Sequence, residues 1–428
     1  MVSIQEAQSI IFENTRLLPS EDIPLLKGLG RVICEDVCAP WDFPAFDNSG
    51  MDGYAFCHSA MQGDRLEVAG FLPAGSVRNL PVEPGKAVRI MTGAPIPPGC
   101  DTVVPVERIE ETDEGIRITE DIKTGSHVRK RGDDVRSGAR VIAAGTVLRP
   151  QEIAMLASCG LTTARVFTRP KIGVLATGDE LVEPGERLSP GKIINSNSSG
   201  IAAQVLEAGG EPMMLGIAHD EENATRTAIL AGLEADILIT TGGVSVGDRD
   251  RVRETIAALG GKIGFWKVNM KPGKPVAFAV LQGKPIFALP GNPVAAMVSF
   301  EMFVRPAILK MAGHTRIFRS AVRAELMESI KNSGDRPHLI RLFVDMRNGR
   351  YVASTTGSQG SARLSSLTEG NGLATIAPGA SLSTGEKVEV FLFDRRFEMC
   401  SPGRREHFSG HAFYSSFHEK TSPEKLTR

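Results

Sequence analysis

Three β-rich runs constrain this chain more than any other feature: KIGVLAT (Lys171 to Thr177), ADILITT (Ala235 to Thr241) and PIFALP (Pro285 to Pro290). Each is followed by a glycine-containing turn and a helix-like stretch. Strands alternating with helices predict an α/β fold, a parallel sheet with helices on both faces. The spacing places one helix over Ser198 to Ala208, stopped by Gly209-Gly210. A second runs from Asp250 to Leu259 and stops at Gly260. The third opens with Asn292 as cap and Pro293 at its first position, and runs towards Met311.

The flanking sequence predicts further domains. With 428 residues the chain has room for about three. Ser3 and Glu6 form a capping box ahead of a short amphipathic helix. Gly85 to Glu107 has short β-branched runs broken by turns, as in a small β module. Leu148 to Phe167 returns to helical spacing, so the β module reads as an insertion and the later segment as rejoining the first helix. Residues 314–396 carry HLIRLFVDM, RYVAST and KVEVFLF, short strands that predict a C-terminal β-barrel. The expected division is a discontinuous N-terminal unit (1–45 and 141–170), an inserted β domain (46–140), an α/β domain (171–313) and the barrel (314–396). Residues 397–428 are rich in Ser, His, Lys and Arg, a composition that cannot bury a core and predicts disorder.

Composition narrows the partners. The net charge of -1 gives no field that favours nucleic acid or an anionic membrane. No apolar run approaches the roughly 18 residues of a spanning helix, and MVSIQEAQSI lacks the pattern of a secretory signal. A cytoplasmic protein is expected. The six cysteines are scattered; the close pair Cys34 and Cys38 stands alone and reads as buried thiols, not as a zinc site. His407 and His411 have helical metal spacing but lie in the polar tail.

In an open parallel sheet, ligands bind beyond the carboxyl ends of the strands. That edge is built here from TGDE (Thr177 to Glu180), TGGVSVGDRD (Thr241 to Asp250) and LPGNP (Leu289 to Pro293). Successive amides at Thr177, Gly178, Gly242 and Gly243 suit the cradling of an oxyanion. Each loop alone is an ordinary turn; three at one edge predict a crevice. Between the second and third loops, FWKVNMKPGKP carries Lys267, Lys271 and Lys274. A solvated turn with snorkelling lysines is the plain alternative. Two prolines and a glycine stiffen the segment, however, which suits a phosphate or another tetrahedral oxyanion. Opposite them stand Glu180, Asp220, Asp248 and Asp250. Each acid alone reads as a cap or surface charge; together they point to Mg²⁺, which takes one or two carboxylates plus substrate oxygens. There is no P-loop, no G-x-G-x-x-G after a strand and no G-x-S-x-G elbow, which disfavours an ordinary NTPase, dehydrogenase or hydrolase. The residues by themselves stop at a phosphorylated anion with Mg²⁺.

Eight strings carry the reading further. DNSGMDGYA, RIMTGAPIP, RGDD, TGDEL, NSNS, TTGGVSVGDRD, MKPGKP and LPGNPV occur here in the order of the MoeA family of molybdopterin molybdenumtransferases, which includes the E domain of gephyrin. The chain resembles that family over residues 1 to about 395. The resemblance implies an elongated homodimer whose α/β domain binds adenylyl-molybdopterin. It implies that molybdate is joined to the dithiolene while AMP leaves, with Mg²⁺ assisting. By position it implies a polar and acidic set, Asp52, Thr92, Asp134, Glu180, Asp220 and Asp250, of which Glu180, Asp220 and Asp250 would hold the metal. It implies an oxyanion set, Ser245, Lys267, Lys271, Lys274, Arg341 and Ser361, with Pro290 and Pro293 shaping the third loop. The family's shared site implies that Asp52 serves the partner subunit's crevice, with Asp47 and Asn48 shaping its turn and Gly50 and Gly53 freeing its backbone. A molybdopterin adenylyltransferase and recipient apo-molybdoenzymes are the implied partners. An adenylyltransferase activity and a gephyrin-like scaffold are the rival readings; the β module argues against the first and the intact acids and lysines against the second.

Overall fold

The computed structural model describes residues 1–77, 81–243 and 251–393. The expected disorder of 397–428, the pair His407 and His411, and the candidates Ser245, Asp248 and Asp250 lie outside the described residues.

The α/β core is a six-stranded sheet made of β1 (Lys171–Thr177), β2 (Glu211–Ala218), β3 (Ile237–Thr241), β4 (Lys262–Phe265), β5 (Ala277–Leu281) and β6 (Lys284–Leu289), in the order β2-β1-β3-β6-β5-β4. The three runs legible in the sequence form the centre, and β2, β1, β3 and β6 are parallel. The far edge is not: β5 runs antiparallel to β6, and β4 antiparallel to β5. Gln282 and Gly283 join β5 to β6 with φ of 51° and 77°, the positive values of a tight hairpin turn. That two-residue connection forces the strand direction to reverse. Because β2 and β3 flank β1, the chain reverses its winding there, and the crevice expected of such a sheet falls at Thr177 and Thr241.

Both faces are covered. Helices Glu222–Gly232 and Arg251–Ala258 place Ile229, Val252 and Ile256 over Leu175, Leu238 and Ile286. On the other face Ser196–Glu207, Pro293–Ser299 and Arg305–Met311 pack Ile201, Val205, Ala296 and Ile308 over Val174, Ile239 and Phe287. The N-terminal helix Ile4–Glu13 has its predicted capping box, yet it joins this face through Ile4, Ala7 and Ile11 instead of packing with residues 148–167. Its apolar stripe meets a wide hydrophobic surface beside β4, whereas 148–167 finds cover elsewhere. Strand Ser20–Pro24 pairs with Thr163–Phe167, and Val37–Cys38 with Arg140–Ile142, over Ile23, Ile33, Leu148 and Leu156.

Between those paired segments stands a sheet ordered Thr102–Pro105, Gly53–Phe56, Lys86–Ile90, Arg65–Leu72, Gly115–Ile118, Ile109–Thr112. Gly53 lies inside it for a reason other than backbone freedom: it is absent from the positive-φ positions. A Cβ there would stand 2.0 Å from the Val104 carbonyl oxygen, which belongs to a paired strand. Gly53→Ala is therefore expected to cost roughly 3 kcal/mol or more, the upper range for overpacking. A chemical denaturation midpoint equal to wild type would contradict it. The C-terminal region closes into the five-stranded barrel expected, from Ala321–Leu326, Arg350–Thr355, His338–Arg347, Gly372–Ile376 and Lys387–Leu392. Among the described residues no helix is long and apolar enough to cross a membrane.

Candidate active site

The turns after β1, β2, β3 and β6 meet at one edge of the sheet. Thr177 is buried, and its hydroxyl donates to the Thr241 carbonyl at 3.5 Å. Gly242 and Gly243, at φ of 88° and 65°, pass directly over it. A Cβ on Gly242 would lie 2.5 Å from the Thr177 carbonyl oxygen, and one on Gly243 would lie 2.9 Å from its hydroxyl. These glycines thus bring two strand ends together, a tighter demand than access for a ligand. A Cβ on Gly291 would lie 3.8 Å from the Gly242 Cα, so the third turn closes on the second.

Glu180 folds back over the first turn. A Cβ on Gly178 would be 2.5 Å from its Oε2. Asp179, which sequence reasoning passed over, does the tying: its Oδ1 accepts the Asp220 N–H at 3.1 Å and lies 3.2 Å from His219 Nδ1. The Asp220 N–H first, and His219 second, hold the Asp179 carboxyl below its usual range. The β1 and β2 turns are joined by an acid whose neighbours, Glu180 and Asp220, have no ion pair with another described residue. Among the described residues no three His, Cys, Asp or Glu side chains stand close enough to hold a metal. Glu180 and Asp220 stand on neighbouring turns without an ion pair among the described residues, and one or two carboxylates are what Mg²⁺ takes when substrate oxygens complete its shell.

The lysine segment is fixed from two sides. Val2 and Lys267 share a backbone bond of 3.1 Å, and the Asn269 N–H returns to the Val2 carbonyl at 2.7 Å. Lys271 N–H donates to Pro337 O at 2.9 Å, and Leu339 N–H to Lys271 O at 2.7 Å, which joins the segment to the barrel strand His338–Arg347. Lys267, Lys271 and Lys274 have no carboxylate partner among the described residues. His338, also unforeseen from sequence, reports the resulting field. It is buried, its Nε2 lacks a partner among the described residues, and its pKa falls to about 4, through burial first and then the charges of Lys271 and Arg341. Two cations thus bear on one neutral imidazole.

Arg341 is fully buried and lies within the barrel. Its Nε donates to Ser366 Oγ at 3.1 Å and its Nη2 to Gly360 O at 3.0 Å, while Nη1 has no acceptor among the described residues. It anchors the turn that carries Ser361, whose Oγ accepts from Asn292 Nδ2 at 3.2 Å. Asn292 stands at the helix cap position foreseen, but makes no side-chain cap; it reaches the barrel instead. Asn197 Nδ2 donates to Gly291 O at 2.7 Å, so two asparagines hold the turn that Pro290 and Pro293 bracket.

Asp52, Thr92 and Asp134 are exposed and belong to a separate group in the inserted region. Asp52 Oδ1 accepts the Thr92 N–H at 2.6 Å and its hydroxyl at 2.7 Å. The hydroxyl first, then the N–H, hold the carboxyl below its usual range. Asp47 accepts from Arg131 N–H at 2.8 Å and Lys130 Nζ at 2.9 Å, drawing the segment that carries Asp134 beside the Asp52 loop.

A sheet edge whose acids and lysines have no ion pair among the described residues, backed by a barrel that buries Arg341, marks a multidomain α/β protein with a charged crevice. Residues 2–160 match the MoeA N-terminal region (domains I and II), residues 173–310 a probable molybdopterin binding domain, and residues 323–393 the MoeA C-terminal region (domain IV). The chain is 35% identical over 407 residues to the molybdopterin molybdenumtransferase of Nostoc sp., covering 91% of this chain and 93% of that protein. It is 36% identical over 405 residues to molybdopterin molybdenumtransferase 2 of Mycobacterium tuberculosis, covering 91% and 99%. The crystal structure of the molybdopterin biosynthesis MoeA protein from Pyrococcus horikosii is similar with a TM-score of 0.79 at 29% identity, over 92% of this chain and 99% of that one. The chain belongs to the MoeA family.

Proposed function

We propose that this protein is a molybdopterin molybdenumtransferase that joins molybdate to adenylyl-molybdopterin and releases AMP. The observation that carries this reading is the excess of positive charge where the lysine segment meets the barrel: the exposed Asp335 is paired with Arg336, and the three lysines have no carboxylate partner among the described residues. Lys271 and Arg341 both act on His338, and Lys267 and Lys274 flank the same segment. Such a group suits a tetrahedral dianion more than a hydrophobic ligand. The sequence expectation of a four-amide cradle is reduced by the fold: the Gly178 N–H donates to Ala218 O at 3.3 Å and the Gly242 N–H to Leu289 O at 3.1 Å. The oxyanion contacts therefore fall to the Gly243 amide and to Ser361, which Asn292 holds. Ser245 completes this set in the sequence.

Glu180 and Asp220, with Asp250 in the sequence, would hold Mg²⁺. When bound, the ion supplies charge neutralisation at the phosphate oxygens as the phosphoanhydride breaks. The residues of the chain orient the two anionic substrates, and lysine ammoniums offset their mutual repulsion. The protein acts as a cytoplasmic homodimer in which Asp52, Thr92 and Asp134 of one subunit complete the crevice of the other. A molybdopterin adenylyltransferase supplies the substrate, and apo-molybdoenzymes take the product.

Chelation is the direct test. EDTA is expected to abolish AMP release from adenylyl-molybdopterin, and added magnesium to restore it. Undiminished release in metal-free buffer would remove the metal from the reaction.

A further inference from the structure

A second cationic cleft lies away from the crevice. It has a volume of about 360 Å³ and is lined by Arg31, Arg169, Arg305, Arg316 and His314, with Glu207 as its acid. The cleft sits where the helices Ser196–Glu207 and Arg305–Met311 end, beside the turn at Leu29 to Val32. Helix Ser196–Glu207 has 12 residues, so its two ends are about 18 Å apart. Its N-terminal end carries Asn197 at the crevice; the cleft is at the other.

Charge bookkeeping leaves the cleft positive. Arg31 is paired with Glu21 at 2.6 Å. Arg319 bonds Glu301 at 2.7 Å and Glu207 at 3.0 Å, and Arg305 shares Glu301 at 3.8 Å. Those acids are thereby used. Arg169 and Arg316 have no ion pair or side-chain hydrogen bond with another described residue. His314 lines the same space, and burial first, then the charge of Arg305, hold it below its usual range. Basic residues near helix C-termini often serve the terminal carbonyls. Here neither Arg169 nor Arg316 donates to such a carbonyl among the described residues.

From this geometry we infer that the cleft is a binding site for a phosphomonoester dianion, whose two charges match the unpaired guanidiniums of Arg169 and Arg316. Arg305, whose Nη1 already donates to Ile317 O at 3.2 Å, and His314 line the same space. The volume lies at the small end of ligand sites, so the phosphate carries a compact organic body.

Inorganic phosphate is the probe, titrated calorimetrically into the full chain, into Lys271→Ala/Lys274→Ala, and into Arg169→Ala/Arg316→Ala. Both arginines are exposed, so their removal should leave the melting temperature unchanged. The lysine variant is expected to keep a saturable phosphate site. The arginine variant is expected to weaken that site by roughly tenfold or more for each guanidinium removed. The inference is overturned if the arginine variant titrates like wild type, or if all phosphate binding disappears with the lysines.

Discussion

Mixed dimers carrying Asp52→Ala on one subunit and Glu180→Ala on the other are expected to regain about half of wild-type AMP release per dimer, although each parent homodimer is nearly inactive. The expectation rests on how Asp52 is held. Two donors from Thr92 orient its carboxylate and keep it ionised, yet it remains exposed. Its loop is secured within the inserted region: Ser49 N–H donates to Ala94 O at 3.0 Å and Gly50 N–H to His127 O at 2.8 Å. An oriented, ionised carboxylate facing solvent is poised to complete a site formed with another surface. In a two-fold dimer, the mixed species gathers both lesions into one crevice and leaves the other intact. Heterodimers as inactive as their parents would place Asp52 in its own chain's chemistry.

What was legible in the sequence follows from which physical demands are local. The parallel strands announced themselves because buried strands need β-branched runs, and Gly242-Gly243 because the turn above Thr177 admits no Cβ. The antiparallel edge was also written locally, in Gln282-Gly283, but a Gln-Gly pair is a weaker hairpin signal than Asn-Gly. Other features had no local signal. The stripe of Ile4, Ala7 and Ile11 says that a helix buries one face, and nothing about which sheet receives it. Asn292 has the residue type and position of a cap, and only the barrel's approach diverts it to Ser361. Asp179 and Glu180 are adjacent acids; the fold alone assigns one to the neighbouring turn and leaves the other free. Arg341 was identifiable only by resemblance, and its complete burial depends on a turn that follows it by almost twenty residues.

That burial makes Arg341→Met the variant expected to separate stability from chemistry. Burial lowers the guanidinium from its ordinary range to about 10, with no carboxylate among the described residues to offset it. The shift amounts to about 3 kcal/mol against the charged form. Because the folded value lies below the unfolded one, the charge opposes folding at neutral pH, and this penalty fades only as pH rises past about 10. Methionine removes that penalty while keeping most of the volume. It also removes the donors to Ser366 and Gly360, each worth about 1 kcal/mol, so the two changes largely cancel. The melting temperature should therefore move little. Turnover should not be spared. Nη1 has no acceptor among the described residues, and a dianion at the lysine segment would offset the buried charge. Loss of such a charge-assisted contact costs about 1.5 to 3 kcal/mol, a fall of roughly ten- to a hundredfold in AMP release at limiting molybdate. Unchanged turnover would show that the guanidinium meets no oxyanion. If melting temperature and turnover collapse together, Arg341 serves only to support the turn at Gly360, and the positive charge that matters is the lysines' alone.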